Sequence, residues 1–300
     1  VPRSSPTTRQ FLPLSNPRSV KGDPLSSKTW FITGTSRGFG REWALAALER
    51  GDTVAATARN TASLEDLVVK FGDAVLPIEL DVTDREADFA AVAQAHQHFG
   101  KLDVVVNNAG YGQFGMVEEL SEHDVRAQIE TNLFGAIWVT QAALPYLRAQ
   151  GYGHIIQVTS IGGISAFPNI GMYHASKWGL EGLSQALAQE VADFGINVTI
   201  VEPGGYSTDW GGSSASHATQ LPAYEGLREK AAAARAKRLG VPGDPVATRE
   251  AILTIVDAEV PPLRVFFGDG PLATATADYE SRLATWRKWE PLSIAAHGVH

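Results

Sequence analysis

Not one of the 300 residues is cysteine, which removes disulfides, thiolate metal sites and thiol nucleophiles from consideration. No run of about 18 apolar residues occurs, so no membrane-spanning helix is expected. Basic residues are in the minority, 25 Lys and Arg against 33 Asp and Glu. The net charge of -8 argues against nucleic acid or an anionic membrane as the main partner. Paired metal ligands are also missing: His96-x-His98 lacks the i,i+4 spacing that sets two ligands on one helix face, and no metal is expected. A cytoplasmic protein fits this composition. With 44% hydrophobic residues the chain can bury a full core, and its even composition points to one large domain.

Residues 1–27 stand apart. Pro2, Pro6, Pro13, Pro17 and Pro24 interrupt a basic, Ser-rich stretch with no acid before Asp23. Those prolines argue against an amphipathic targeting helix and for a disordered or expression-derived tail.

From Lys28 onward, short apolar runs alternate with helical stretches. Trp30–Thr33, Thr53–Ala56, Val75–Leu80, Val104–Val106, Ile155–Val158, Val198–Val201 and Val265–Phe267 read as strands. Ser63-x-x-Asp66 and Thr83-x-x-Glu86 have the spacing of capping boxes, and Gly51, Gly72, Gly100 and Gly195 stand where helices should stop. One long helix is expected from about Ser121 to Leu147, and another over Tyr224–Leu239. Near-continuous apolar strands separated by helices imply a parallel sheet covered on both faces, a doubly wound α/β domain spanning 28–300. The rhythm breaks after the sixth strand, where about 205–240 reads as a lid.

Two local patterns carry chemistry. The first strand runs into Thr33-Gly34-Thr35-Ser36-Arg37-Gly38-Phe39-Gly40, then a helix. Glycines at that junction let the backbone approach a pyrophosphate at the helix N-terminus. Further on, Tyr173 and Lys177 stand four apart and project from one helix face, with Ser160 upstream. An ammonium beside a phenol favours the phenolate, which turns Tyr173 into a general acid or base.

These motifs, with Asp81, Asn107-Asn108-Ala109-Gly110, Asn132 and Pro203-Gly204 in the same order, resemble the short-chain dehydrogenase/reductase family over about Lys28–Gly268. The resemblance implies a Rossmann-type sheet of about seven strands and hydride transfer between a nicotinamide and a carbonyl or carbinol carbon. It implies that Tyr173 exchanges the proton, Lys177 lowers the Tyr pKa and holds the nicotinamide ribose, Ser160 bonds the substrate oxygen, and Asn132 holds a water relay. Gly34, Ser36, Arg37, Gly38, Phe39 and Gly40 would receive the cofactor phosphates. Asp81 and Val82 would flank the adenine, Asn108, Ala109 and Gly110 would line the cofactor, and Pro203, Gly204 and Thr208 would meet the carboxamide. The second strand ends in Ala58-Arg59 where an NAD enzyme wants an acid, so NADP(H) is expected, with Arg59 and Arg37 on the 2′-phosphate.

Ile161, Gly162, Gly163, Gln113, Phe114, Phe167, Tyr206 and Trp210 would surround a small-molecule carbonyl or alcohol. This mostly apolar set suggests a hydrophobic substrate rather than an acidic one. The stripe Leu180, Leu183, Leu187 serves either core packing or the pairing of subunits into a homodimer or homotetramer. A sugar-nucleotide epimerase or dehydratase would usually carry T-G-x-x-G-x-x-G and a larger C-terminal domain, and neither is present. Two alternatives are an NADP(H) sensor without catalysis, against which the intact Ser160, Tyr173 and Lys177 argue, and a ketoreductase of carrier-bound acyl groups. The last would dock its carrier on Arg228, Lys230, Arg235, Lys237 and Arg238.

Overall fold

The computed structural model describes residues 27–212 and 214–298, so the expectation for the N-terminal tail lies, but for its last residue, outside the described residues. Seven parallel strands form the central sheet: β1 (Thr29–Ile32), β2 (Thr53–Ala58), β3 (Val75–Glu79), β4 (Val104–Asn107), β5 (Gly153–Val158), β6 (Ile196–Pro203) and β7 (Arg264–Phe267). Their order is β3-β2-β1-β4-β5-β6-β7. All seven expected runs are strands, within a few residues at their ends. The chain leaves β1 toward one edge and returns at β4 toward the other, which opens a crevice at the C-terminal ends of these two strands.

Alternation along β1 shows how the faces are covered. Trp30 and Ile32 pack with α1 (Gly38–Arg50), α2 (Glu65–Phe71) and α8 (Thr248–Asp257). Phe31 points the other way, into α3 (Arg85–Phe99), α5 (Gly135–Gln150) and α6 (Gly171–Val191). Leu180 and Leu187 are buried in the single chain, so the α6 stripe is spent largely on the core. Among the described residues no helix is long and apolar enough to cross a membrane.

Three local expectations are corrected. Asn60, not Ser63, caps the turn before α2, accepting from the Ala62 amide at 3.0 Å. Asp84, not Thr83, caps α3, and Thr83 donates instead to Asp81. The long helix is two, α4 (Glu122–Ile129) and α5, joined by one π-helical turn over Glu130–Phe134. A turn of this kind re-aims side chains inside an otherwise continuous helix, and here it carries Asn132.

Asp88, one turn into α3, is fully buried and neither carboxylate oxygen has a hydrogen-bond partner. Burial, with the charges of Asp84 and Asp81, pushes its pKa up to about 8. The unfolded chain ionises this group near pH 4 while the folded one keeps it protonated, so stability falls as pH rises from about 4 to about 8. Asp88→Ala is therefore expected to raise Tm by several degrees at pH 8 and by little at pH 4, measured by thermal unfolding at both. Equal shifts at the two pH values would contradict the buried-acid account.

Candidate active site

The loop after β1 shows why glycines stand between the first strand and the first helix. Gly34 and Gly38 adopt φ of 70° and 61°, a left-handed conformation that favours glycine. A Cβ on Gly38 would meet only Thr208, at 3.8 Å, so this side of the loop stays open. Helix α1 starts there with no side-chain cap and no acid in its first turn. Such an end leaves amide N–H groups and the positive pole of the helix dipole for an anion. Gly40 differs: a Cβ on it would fall 2.4 Å from Asn108 Nδ2 and 2.5 Å from the Gly34 carbonyl. Gly40 is thus the position where the loop packs closely on itself. Asn108 pins the loop by donating to the carbonyls of Thr33 (2.9 Å) and Gly34 (3.0 Å).

A cavity of about 920 Å³ runs along the C-terminal ends of the strands. Near one end lie Ala58, Arg59, Asp81 and Val82, then Gly34 with Ser36, Arg37, Gly38 and Phe39. Asn108, Ala109 and Gly110 follow, and Pro203, Gly204 and Thr208 face them. Ser160, Tyr173 and Lys177 line the same space. Its volume is near the top of the roughly 300–1,000 Å³ usual for ligand sites.

Tyr173 is buried on α6 and shares a hydrogen bond with Ser160. Burial pushes the phenol up to about 12, with the Ser160 bond working against the rise. Lys177, also buried, is brought down to about 8 by burial, while the Glu181 charge favours its ammonium. Its Nζ donates to the Val158 carbonyl at 2.8 Å and sits 6.0 Å from the centroid of the Tyr173 ring. Both groups are dehydrated, and dehydration favours the neutral form of each.

Ser160 closes β5, accepts from the Gly162 amide at 2.9 Å and donates to the Pro203 carbonyl across a long 3.4 Å. Asn132 lies behind the wall. It accepts from the Tyr111 amide at 3.0 Å and donates to the Tyr111 carbonyl at 2.9 Å and to Ser176 at 3.3 Å. Its side chain clamps the loop after β4 to α6.

His174, adjacent to Tyr173 but turned about 100° round the helix from it, carries structure. The Phe167 amide donates to Nε2 at 2.8 Å, so Nδ1 carries the proton and donates to the Gly162 carbonyl at 2.7 Å. Burial keeps the ring neutral by lowering its pKa. His174 thus ties two wall residues, Gly162 and Phe167, to the Tyr173 helix. Of the other expected wall residues, Ile161, Tyr206 and Trp210 line the cavity. Gly163 packs on Glu181, while Gln113 and Phe114 form a two-residue ribbon with Ser216–His217. Among the described residues no group of three or more His, Asp or Glu is placed to hold a metal.

The sequence pattern of the short chain dehydrogenase family matches residues 28–218. The chain belongs to that family. It is 43% identical to "Oxidoreductase BOA17" of Botryotinia fuckeliana over 90% of its length and 99% of the relative's. Its fold is similar to that of a short-chain dehydrogenase from Streptomyces avermitilis, with a TM-score of 0.84 and 40% identity over 91% of this chain and 99% of the other. An alcohol dehydrogenase from Thermococcus sibiricus, solved with 5-hydroxy-NADP, aligns with a TM-score of 0.68 and 29% identity, over 81% and 96% of the two chains. The chain is thus an oxidoreductase of a family that uses NAD(P)(H).

Proposed function

We propose that this chain is an NADP(H)-dependent oxidoreductase that interconverts a carbonyl and an alcohol on a largely apolar substrate. The observation that carries the reading is the convergence of Ser160, Tyr173 and Lys177 on the cavity that the glycine loop also lines. The uncapped start of α1 and the open face of Gly38 fit a pyrophosphate. Ala58 leaves no acid to repel a 2′-phosphate, and Arg37 and Arg59 share its stretch of wall.

When bound, NADPH supplies the hydride, from nicotinamide C4 to the carbonyl carbon. Tyr173 gives its phenolic proton to the carbonyl oxygen, which completes the alcohol. Burial serves this direction, because it holds Tyr173 as the neutral phenol that donates. Ser160 turns its hydroxyl from the weak Pro203 bond to the same oxygen and stabilises its growing negative charge. Lys177 lies one helical turn from the phenolate left behind and favours that charge until solvent returns the proton. The segment 205–240 acts as the lid, with Tyr206, Trp210, Arg235 and Arg238 on the wall.

The test is NADPH consumption against ketones and aldehydes graded from polar to lipophilic. Turnover rising toward the lipophilic members is expected; tight NADPH binding with no turnover on any of them would favour a sensor. For the cofactor choice, Arg59→Ala should weaken NADPH binding about ten- to a hundredfold, the loss of one charge-assisted bond. NADH binding should hardly change, and equal losses for both cofactors would sink the assignment.

A further inference from the structure

Helix α7 (Glu225–Leu239) carries five basic residues that a carrier-docking patch would need together, and the fold separates them. Arg228 is spent on the buried Glu119, bonding both carboxylate oxygens at 2.8 and 3.0 Å. Lys230 and Lys237 face solvent. Arg235 and Arg238 turn inward to the cavity wall, half-buried.

Their neighbours there are aromatic rings. The Arg238 guanidinium lies 3.5 Å from the centroid of Phe167, and that of Arg235 lies 5.5 and 5.6 Å from those of Trp210 and Phe114. Among the described residues neither arginine has a carboxylate partner. The buried indole N–H of Trp210 also lacks an acceptor. Two guanidinium groups near one another and partly stripped of water are costly without an anion; burial and the Arg235 charge already lower the pKa of Arg238.

Their place within the cavity is also informative. Trp210 meets the ring of Tyr173 edge-on, 4.9 Å between centroids, and Phe167 is bonded through its amide to His174. Both arginines therefore belong to the end where the reacting carbonyl would lie, while Arg37 and Arg59 sit with the loops after β1 and β2. Helix α7 also lies beyond residue 218, where the match to the family pattern ends.

We propose that Arg235 and Arg238 bind an oxyanion, carboxylate or phosphate, carried by the substrate away from its reacting carbonyl. The two inward arginines revise the expectation of a substrate without an acidic group: it is then an amphipathic carbonyl compound, its apolar body against Ile161, Phe167 and Trp210 and its acidic end under α7. What happens to that substrate rests on the reductase reading; the anion site rests on its own geometry.

The test is calorimetric titration of the full chain, with and without NADPH, using three unreactive probes that share a phenylethyl body. These are 3-phenylpropanoate, 2-phenylethyl phosphate and the neutral 3-phenylpropanamide. At least one anion should bind about ten- to a hundredfold more tightly than the amide, as charge-assisted bonds to arginine predict. The better anion identifies the group. The double variant R235Q/R238Q should erase the preference without changing the affinity for the amide or NADPH, and R235K/R238K should keep part of it. Failure of both anions to bind, equal binding of all three probes, or equal weakening of all three in R235Q/R238Q would overturn the proposal. So would a loss of NADPH affinity matching the loss for the anions, because that assigns the arginines to the cofactor. Anion preference without turnover on any ketone would remove the reductase reading and leave this site standing.

Discussion

Replacing Tyr173 by Phe is expected to lower the turnover of carbonyl reduction by about a thousandfold while NADPH still binds. The size follows from the role, since a positioned general acid contributes roughly 10²–10⁴-fold. Phe keeps the ring that packs against Trp210 and Phe114, so the wall survives and only the hydroxyl shared with Ser160 is lost. Ser160→Ala should cost about a hundredfold or more, because it removes one donor to the developing oxyanion. Steady-state kinetics beside NADPH binding measure both, and a Tyr173→Phe enzyme with undiminished turnover would remove Tyr173 from the mechanism.

Lys177→Met should separate stability from activity. A fully dehydrated ammonium held by one carbonyl, at 2.8 Å, is a poor exchange for water. Because the Lys177 pKa falls from 10.5 to about 8, the unfolded chain holds this proton over a pH window where the folded chain has released it. The penalty is therefore full below about pH 8 and fades as pH rises toward 10.5. At pH 7 Lys177→Met is expected to gain roughly 1–3 kcal/mol of stability, with reductase activity reduced to a small residue. The gain should shrink at pH 10. Denaturant unfolding at both pH values measures it, and a variant less stable than the parent at pH 7 would contradict the account.

Much of this site was legible in the sequence because its elements are local. A glycine loop between a strand and a helix, or Tyr173 and Lys177 one turn apart, needs only helix and strand geometry to be understood. The π turn at Glu130–Phe134 was not legible, since it accompanies a clamp between Asn132 and Tyr111 that only the folded chain brings together. The ribbon between Gln113–Phe114 and Ser216–His217 has two residues per strand, too few for any periodicity. The burial of Tyr173 and Lys177 was not legible, because spacing reports a neighbouring charge and says nothing of dehydration. The inward arginines were recoverable. Arg228, Arg235 and Arg238 recur at i, i+7 and i+10 along one side of a helix, with Lys230 and Lys237 on the other. Read with the helical period, the five cations already divide into two faces.

The proposed reaction requires this cavity to join a hydride from NADPH to a proton from Tyr173 on one substrate. The direct measurement is mass spectrometry of the alcohol formed from a lipophilic ketone and NADPH deuterated at nicotinamide C4, with the parent chain and Tyr173→Phe side by side. Deuterium on the carbinol carbon, matched to the NADPH consumed and lost in Tyr173→Phe at unchanged NADPH affinity, is the predicted result. Deuterated alcohol formed equally fast by both proteins would contradict it.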